Sequence, residues 1–330
     1  MATRFQILSL SGGGFLGLYT IAVLAELEHE NGRPLATSFD LIAGTSIGGL
    51  IGLALAAEVP ASEIRDAIDQ FGPKIFSSRP RPQTRVGAML DVLRFLMAPK
   101  YSDGPLRSAV RRLFDRIELI GELNHRILIP TVNVTKGAPQ VFKTPHHPTY
   151  RRDLNVKVVD VAIAAAAAPA YFPIAEVGDE LFVDGGLYAN SPDLLAVHEA
   201  EHFLKQKIDD VHVLSVGTTT SKFSFPHQTG RNLGIIQWAV GQRLTRIALA
   251  AQQQSVDFVL GHRLGDRYFR IDATQSVEQR KHLGLDVATP DASKTIRGLA
   301  AGSVQDVISR PTIREMLRHT AETRECPERC

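Results

Sequence analysis

The sequence has little cysteine. Its 330 residues contain two, Cys326 and Cys330, both in the polar tail TRECPERC. A disulfide framework is thereby excluded, and the natural setting of such a chain is a reducing cytosol. A CxxxC pair with no further cysteine reads as a loose terminus and not as a metal clamp. Net charge is nearly absent as well. The balance of 37 Lys and Arg against 35 Asp and Glu leaves +2, which gives no pull towards a polyanion and no expectation of a nucleic-acid partner. Long apolar runs are missing. The longest candidate, AIAAAAAPAYFP, is too short and too interrupted by proline to cross a bilayer. The opening MATRFQILSLSGGG lacks the apolar core of a signal peptide, because glycine breaks it soon after Phe5. Any membrane contact is therefore expected to be peripheral. No internal repeat and no low-complexity linker divides the chain.

What is present is an ordinary globular composition, 44% hydrophobic and 22% charged, able to fill a sizeable core. Two strand–turn–helix units open the chain: strand Phe5–Leu10, a glycine loop and a helix from about Leu18 to Glu30, then strand Phe39–Ala43, the turn GTSIG and a helix to about Ala57. Successive units of this kind predict parallel pairing with right-handed crossovers. RILIPTVNV and QVFKT read as strands, as a hairpin pair. Val156–Ala168 suits a buried helix, Leu181–Val183 a short strand and Ser191–Lys205 an amphipathic helix. VHVLSVGT is a buried strand, Asn232–Val259 has helical periodicity, RYFRID is a late strand, and two helices close the chain. The economical division is one α/β domain with a catalytic core over 5–200, its remainder over 201–320 and a polar tail over 321–330.

Chemistry concentrates where strands turn into helices. In Gly44-Thr45-Ser46-Ile47-Gly48 a serine sits between two glycines that tolerate a crowded, sharply bent backbone. A helix starting there adds positive potential beside any developing negative charge. Taken alone, such a turn is equally a helix cap. The glycine loop Gly12-Gly13-Gly14, with Gly17 beyond, ends the first strand, and parallel pairing brings it to the same sheet edge as Ser46. Its N–H groups could receive an oxyanion. The spacing Gly12-x-Gly14-x-x-Gly17 also fits a dinucleotide fingerprint. That fingerprint wants an acid at the end of the second strand, where Ala43-Gly44-Thr45 stand and Asp40 lies near the beginning. For the base, His262 and His282 are the late histidines a triad would use. The more pointed candidate is Asp184 in LFVDGGLYANSP, which ends a short apolar strand and is followed by Gly185 and Gly186. A carboxylate within reach of the Ser46 hydroxyl makes a dyad.

The glycine loop, GTSIG, AAAAAPAYFP and DGG, in that order, resemble the patatin-like phospholipase family, with the likeness running on through LGIIQWAV and DRYFRID. The resemblance implies a three-layer α/β/α fold with a mostly parallel central sheet. It implies Ser46 as nucleophile, Asp184 as its partner, and Gly12, Gly13 and Gly14 as the oxyanion hole, with no cofactor. Many members carry Arg or Lys after GGGx, where this chain has Leu16. The late segments, with GLDVATPDASKTIRGLA, look like the bacterial branch whose members include effectors of anti-phage signalling. For that branch the resemblance implies a membrane glycerophospholipid substrate, a cyclic di- or trinucleotide activator and a cytoplasmic protein acting peripherally on the inner membrane. It leaves open a homo-oligomer and the place of the nucleotide.

Two further features compete for attention. HEAEH, His198 to His202, satisfies the zinc-protease pattern HExxH. The extended pattern wants histidine at 208, which is Ile208, and no glutamate occurs between Phe203 and Val277. A solvated amphipathic face is the plainer reading, with Asp209, Asp210 or His212 as remaining ligand candidates. The segment Ser77–Arg116 carries a local charge of +6, with Arg79, Arg81 and Arg85 close to Phe76 and Tyr101. It reads either as a lid meeting anionic headgroups or as a helix with its arginines in water. The function expected is a phospholipase switched on by a cyclic oligonucleotide. The alternatives are an unregulated lipid acyl hydrolase, a zinc protease on His198, Glu199 and His202, and a nucleotide-binding module without catalysis.

Overall fold

A computed structural model describes residues 4–76, 98–220, 222–239 and 242–322. The basic stretch at Arg79, Arg81 and Arg85 and both cysteines fall outside the described residues. Eight strands form one sheet: β1 (Phe5–Leu10), β2 (Leu41–Gly44), β3 (Ile127–Asn133), β4 (Ala138–Lys143), β5 (Ala175–Val177), β6 (Glu180–Asp184), β7 (Val211–Val216) and β8 (Tyr268–Ile271). Their order is β5-β6-β3-β2-β1-β7-β8, with β4 paired to β3. From β3 to β8 every neighbour pairs in parallel, while β4 and β6 run antiparallel to β3. The expected mostly parallel sheet flanked by helices is the fold observed.

Period-two alternation sends successive β1 side chains to opposite faces. Leu8 and Leu10 join the larger core, beneath α1 (Gly17–Asn31), α2 (Ile47–Ala56), α3 (Ala61–Ile75), α4 (Gly104–Leu113) and α5 (Val158–Ala166). Phe5 and Ile7 join the smaller core, under α6 (Asp193–His198) and α7 (Arg243–Leu264). α8 (Pro290–Val307) lies against α1 on the larger side, and α9 (Pro311–Arg318) follows it. Helix α1 is buried on most of its surface, which accounts for its nearly unbroken apolar sequence.

The division of β3 positions the site. β4 pairs with it along Leu128–Asn133, and a strand has only two edges. The opposite edge is therefore shared: Ile127 and Leu128 pair with β2, and Thr131–Asn133 with β6. β2 runs with β3 and β6 runs against it, so their C-terminal ends, Gly44 and Asp184, point towards each other.

Several elements depart from the sequence reading. The second strand begins at Leu41 and reaches Gly44. Ser191–Lys205 is not one helix: α6 gives way at Glu199–Phe203 to a wider π turn, where the Glu199 side chain is buried. Asn232–Val259 divides into a short turn of helix at Ile235–Ala239 and the long α7, which runs on to Leu264. α3 carries Pro73 inside it, a breaker that masks its helical pattern.

Candidate active site

Ser46 stands between β2 and α2 with φ 56° and ψ −126°, a left-handed backbone at a non-glycine residue. Such a conformation costs of the order of 1–3 kcal/mol and persists only where its surroundings enforce it. They do so by crowding. A Cβ on Gly44 would stand 2.2 Å from the Gly48 carbonyl oxygen, and one on Gly48 would stand 2.4 Å from that of Leu10. Thr45 anchors the bend, donating its N–H to Leu10 O (3.1 Å) and its hydroxyl to Ala189 O (2.6 Å).

Asp184, at the end of β6, is 5% exposed. Its backbone N–H bonds to Ala167 O at 3.0 Å, and its Oδ1 accepts from Gly186 N–H at 2.7 Å. Burial pushes the carboxyl up to about 6, while hydrogen bonding with the Ser46 hydroxyl and Gly186 N–H works in the other direction. A carboxylate so placed is ionised at neutral pH yet basic enough to take a proton from a hydroxyl. Gly185 packs on the Pro130 carbonyl, which fixes the turn after the aspartate.

The glycine loop narrows on inspection. Gly12 N–H already donates to Asn190 O (2.9 Å), which leaves it engaged as an anchor of the loop. Its carbonyl accepts from Asn190 Nδ2 (3.2 Å) and Thr218 Oγ1 (2.9 Å). Gly13 and Gly14 line the same cleft as Ser46 and Asp184, and their N–H groups are the loop's remaining candidates for an oxyanion. Gly14 has φ +55°, and a side chain there would strike Leu285 O, itself the acceptor for Phe15 N–H at 2.7 Å. Gly17 lies against the Ile47 side chain and couples the two turns. Asn190, Thr218 and Leu285 escaped the sequence reading. Asn190 alone had a signal, six residues past the candidate base.

The fold also holds a largely enclosed cation. Arg270 bonds to Ser215 Oγ (2.7 Å), Asp272 Oδ2 (2.7 Å) and Ser11 Oγ (3.4 Å), the last beside the glycine loop. Burial disfavours its charge, but Asp272, Asp193 and Asp257 hold the guanidinium protonated.

The cleft has a volume of about 280 Å³ and is walled mainly by apolar groups, among them Phe71, Leu106, Ala109, Phe172 and Leu249. Ser46 and Asp184 are among its few polar lining residues, in a lining suited to a hydrocarbon chain. His262 and His282 are not among the lining residues. His262 Nδ1 instead contacts Phe258 O at 2.7 Å.

The side chains of HEAEH are engaged with one another and with their neighbours. His198 and His202 stack on each other with ring centroids 5.3 Å apart. Glu199 is buried against Lys143 Nζ (2.5 Å) and His146 Nε2 (3.0 Å). Burial pushes its carboxyl up, but these partners outweigh that and hold it below its ordinary value. Asp209 pairs with Arg267 at 3.5 Å. Burial lowers His212 to about 4. Among the described residues, no group of three or more His, Cys, Asp or Glu is placed to hold a metal ion.

Residues 8–197 match the model of the patatin-like phospholipase family. The chain belongs to that family. It is 40% identical over 320 residues to a cGAMP-activated phospholipase of Pseudomonas aeruginosa, covering 96% of this chain and 93% of the relative. A cGAMP-activated phospholipase of Vibrio cholerae is 37% identical over 270 residues (77% and 76%). One of Escherichia coli is 32% identical over 326 residues (92% and 90%). Membership gives the chain the fold and the activity class of a lipid acyl hydrolase, a carboxylic ester hydrolase.

Proposed function

We propose that this patatin-like enzyme hydrolyses acyl esters of membrane glycerophospholipids through a Ser46–Asp184 dyad and is switched on by a cyclic oligonucleotide. The observation that carries the dyad is a buried carboxylate and a strained serine that line the same apolar cleft. Asp184 takes the Ser46 proton as Oγ attacks the ester carbonyl carbon. The carbonyl oxygen becomes an oxyanion received by the N–H groups of Gly13 and Gly14. Collapse breaks the ester C–O bond, and the proton on Asp184 passes to the departing lysophospholipid oxygen. Water then gives a proton to Asp184 and attacks the acyl-serine, returning Ser46 and releasing a fatty acid. No step calls for a cofactor.

Activation rests on the relatives named cGAMP-activated phospholipases, which align along most of the chain. Peripheral action at the inner membrane from the cytoplasm fits exposed apolar groups around the cleft. Leu187, which lines it, is 58% exposed, and Leu244, beside the lining residue Thr245, is 60% exposed. No helix among the described residues is long and apolar enough to cross a membrane.

Phospholipid vesicles incubated with protein and cGAMP test the reading by mass spectrometry of released fatty acid. Ser46→Ala and Asp184→Ala should each abolish release while the protein stays folded, with a cooperative melting transition retained. The double variant should be scarcely worse than either single one, since members of a catalytic unit do not add. Full activity without any nucleotide, unchanged across a panel of cyclic dinucleotides, would leave an unregulated lipase.

A further inference from the structure

A second, smaller cavity opens behind the oxyanion loop. It is lined by Lys222, Arg246, Arg280, Phe223, Thr220 and Gln275 among others, and its volume is about 30 Å³. The two cavities share a wall, since Leu249 and Leu285 line both. Three cationic residues lining a space too small for a nucleoside suit one phosphate group. An aromatic row leads outwards from it. Arg246 lies 4.3 Å over the Phe223 ring, Phe223 is 5.4 Å from Phe225, and Phe225 is 5.7 Å from Trp238. Planar bases stack on such rings and on guanidinium groups.

The floor of this cavity is tied to the catalytic loop. Thr218 Oγ1 contacts Thr220 Oγ1 at 3.1 Å and Gly12 O at 2.9 Å. Gln275 Nε2 donates to Thr219 Oγ1 at 2.6 Å, and Arg280 Nε donates to Gln275 O at 3.1 Å. Thr219, between them, is buried with φ 63°, an outlier for a β-branched residue. On the other side, Leu285 O holds Phe15 N–H beside Gly14. The strained Thr219 thus lies on the cationic cavity, one residue from the Thr218 that holds Gly12 O.

We propose that this cavity takes one phosphodiester of the cyclic dinucleotide, with a base against Phe223, and that its filling sets the Gly13–Gly14 loop through Thr218–Thr220 and Leu285. This rests on the cyclic-nucleotide reading above and adds the place and the route. The ligand acts by binding one arrangement of that wall better than the other.

The test is calorimetric titration of cGAMP into full-length Ser46→Ala protein, with and without further substitutions, so that binding is read apart from hydrolysis. Arg280→Gln, Lys222→Gln and Phe223→Ala should each weaken binding about 10-fold or more, the size of a lost charge-assisted bond or stacking contact. Lys222 is exposed, so its variant keeps the fold even if Arg280→Gln does not. In Ser46-containing protein, saturating cGAMP should restore much of the stimulated hydrolysis to Lys222→Gln. Binding unchanged in both Lys222→Gln and Phe223→Ala overturns this site and leaves nucleotide activation standing. Loss of binding from Arg79→Gln and Arg81→Gln instead would place the ligand elsewhere. No binding of any cyclic dinucleotide by the parent protein overturns the activation reading itself, and this site with it.

Discussion

At the scale of single residues, Asp184, the proposed base, sets stability against its proposed role. Its carboxyl titrates near 6 in the folded protein against 3.8 for the free side chain, because burial disfavours the charge. Below about pH 4 both states are protonated and the shift has no effect on stability. Between 4 and 6 the unfolded chain releases its proton first, so folding becomes less favourable. Above 6 the whole penalty is present, of the order of 3 kcal/mol. Asp184→Asn keeps an oxygen for Gly186 N–H and removes the charge. We expect this variant to be inactive yet to melt several degrees above the wild type at pH 8, with the gap closing towards pH 4. Melting curves across that range decide it, and a gap independent of pH would mean that the burial penalty is not what Asp184 imposes. The same titration should make wild-type kcat/KM rise through about pH 6 as the base ionises.

At the scale of elements, the apolar cleft proposed to take the acyl chain depends on the separation of α3 and α4. Ala109 on α4 and Phe71 on α3 both line it. Ala109→Phe should fill the channel, reducing hydrolysis of long-chain phospholipid by about 10-fold or more, the loss that even one misfitted methylene can bring in an apolar site. A short-chain soluble ester should be cleaved nearly as before. Equal loss on both substrates would argue that the alkyl chain lies elsewhere. These walls were the least legible part of the site. Ser46 and Asp184 announce themselves through flanking glycines and abrupt strand ends, which are local. Cleft walls come from residues such as Phe71 and Leu285, far apart in sequence and brought together only by packing. The early parallel strands were readable for the same local reason, as short, mainly apolar runs ended by a glycine turn. β5, three residues long, had no period to show. The Gly12 donor was beyond reach of any pattern, since its fate depends on the carbonyl of Asn190 178 residues away.

At the scale of the whole molecule, the two ends of the described chain hold each other. Gln6 Nε2, on the first strand, donates to Ser38 O and to Met316 O, and His319 Nε2 meets Asp40 Oδ2 at 2.8 Å. β7 and β8 extend the same sheet as β1. We propose that residues 5–320 unfold as one body. Met316 is fully buried on α9. Met316→Ala should cost about 2–5 kcal/mol. Intrinsic fluorescence and residual esterase activity should fall together in a single transition at lower temperature. Two separated transitions would divide the chain.

The divided edge of β3 also says where this fold can absorb change. An extra residue within Glu180–Val183 would shift the pairing by one and turn Asp184 to the opposite face of the sheet, leaving an intact fold around a serine with no base. An extra residue at the Gly178 turn, where no neighbour lies within 4 Å of a built Cβ, leaves that pairing untouched. Length variation in descendants of this chain should therefore collect in the turn and stay out of the four residues beside it.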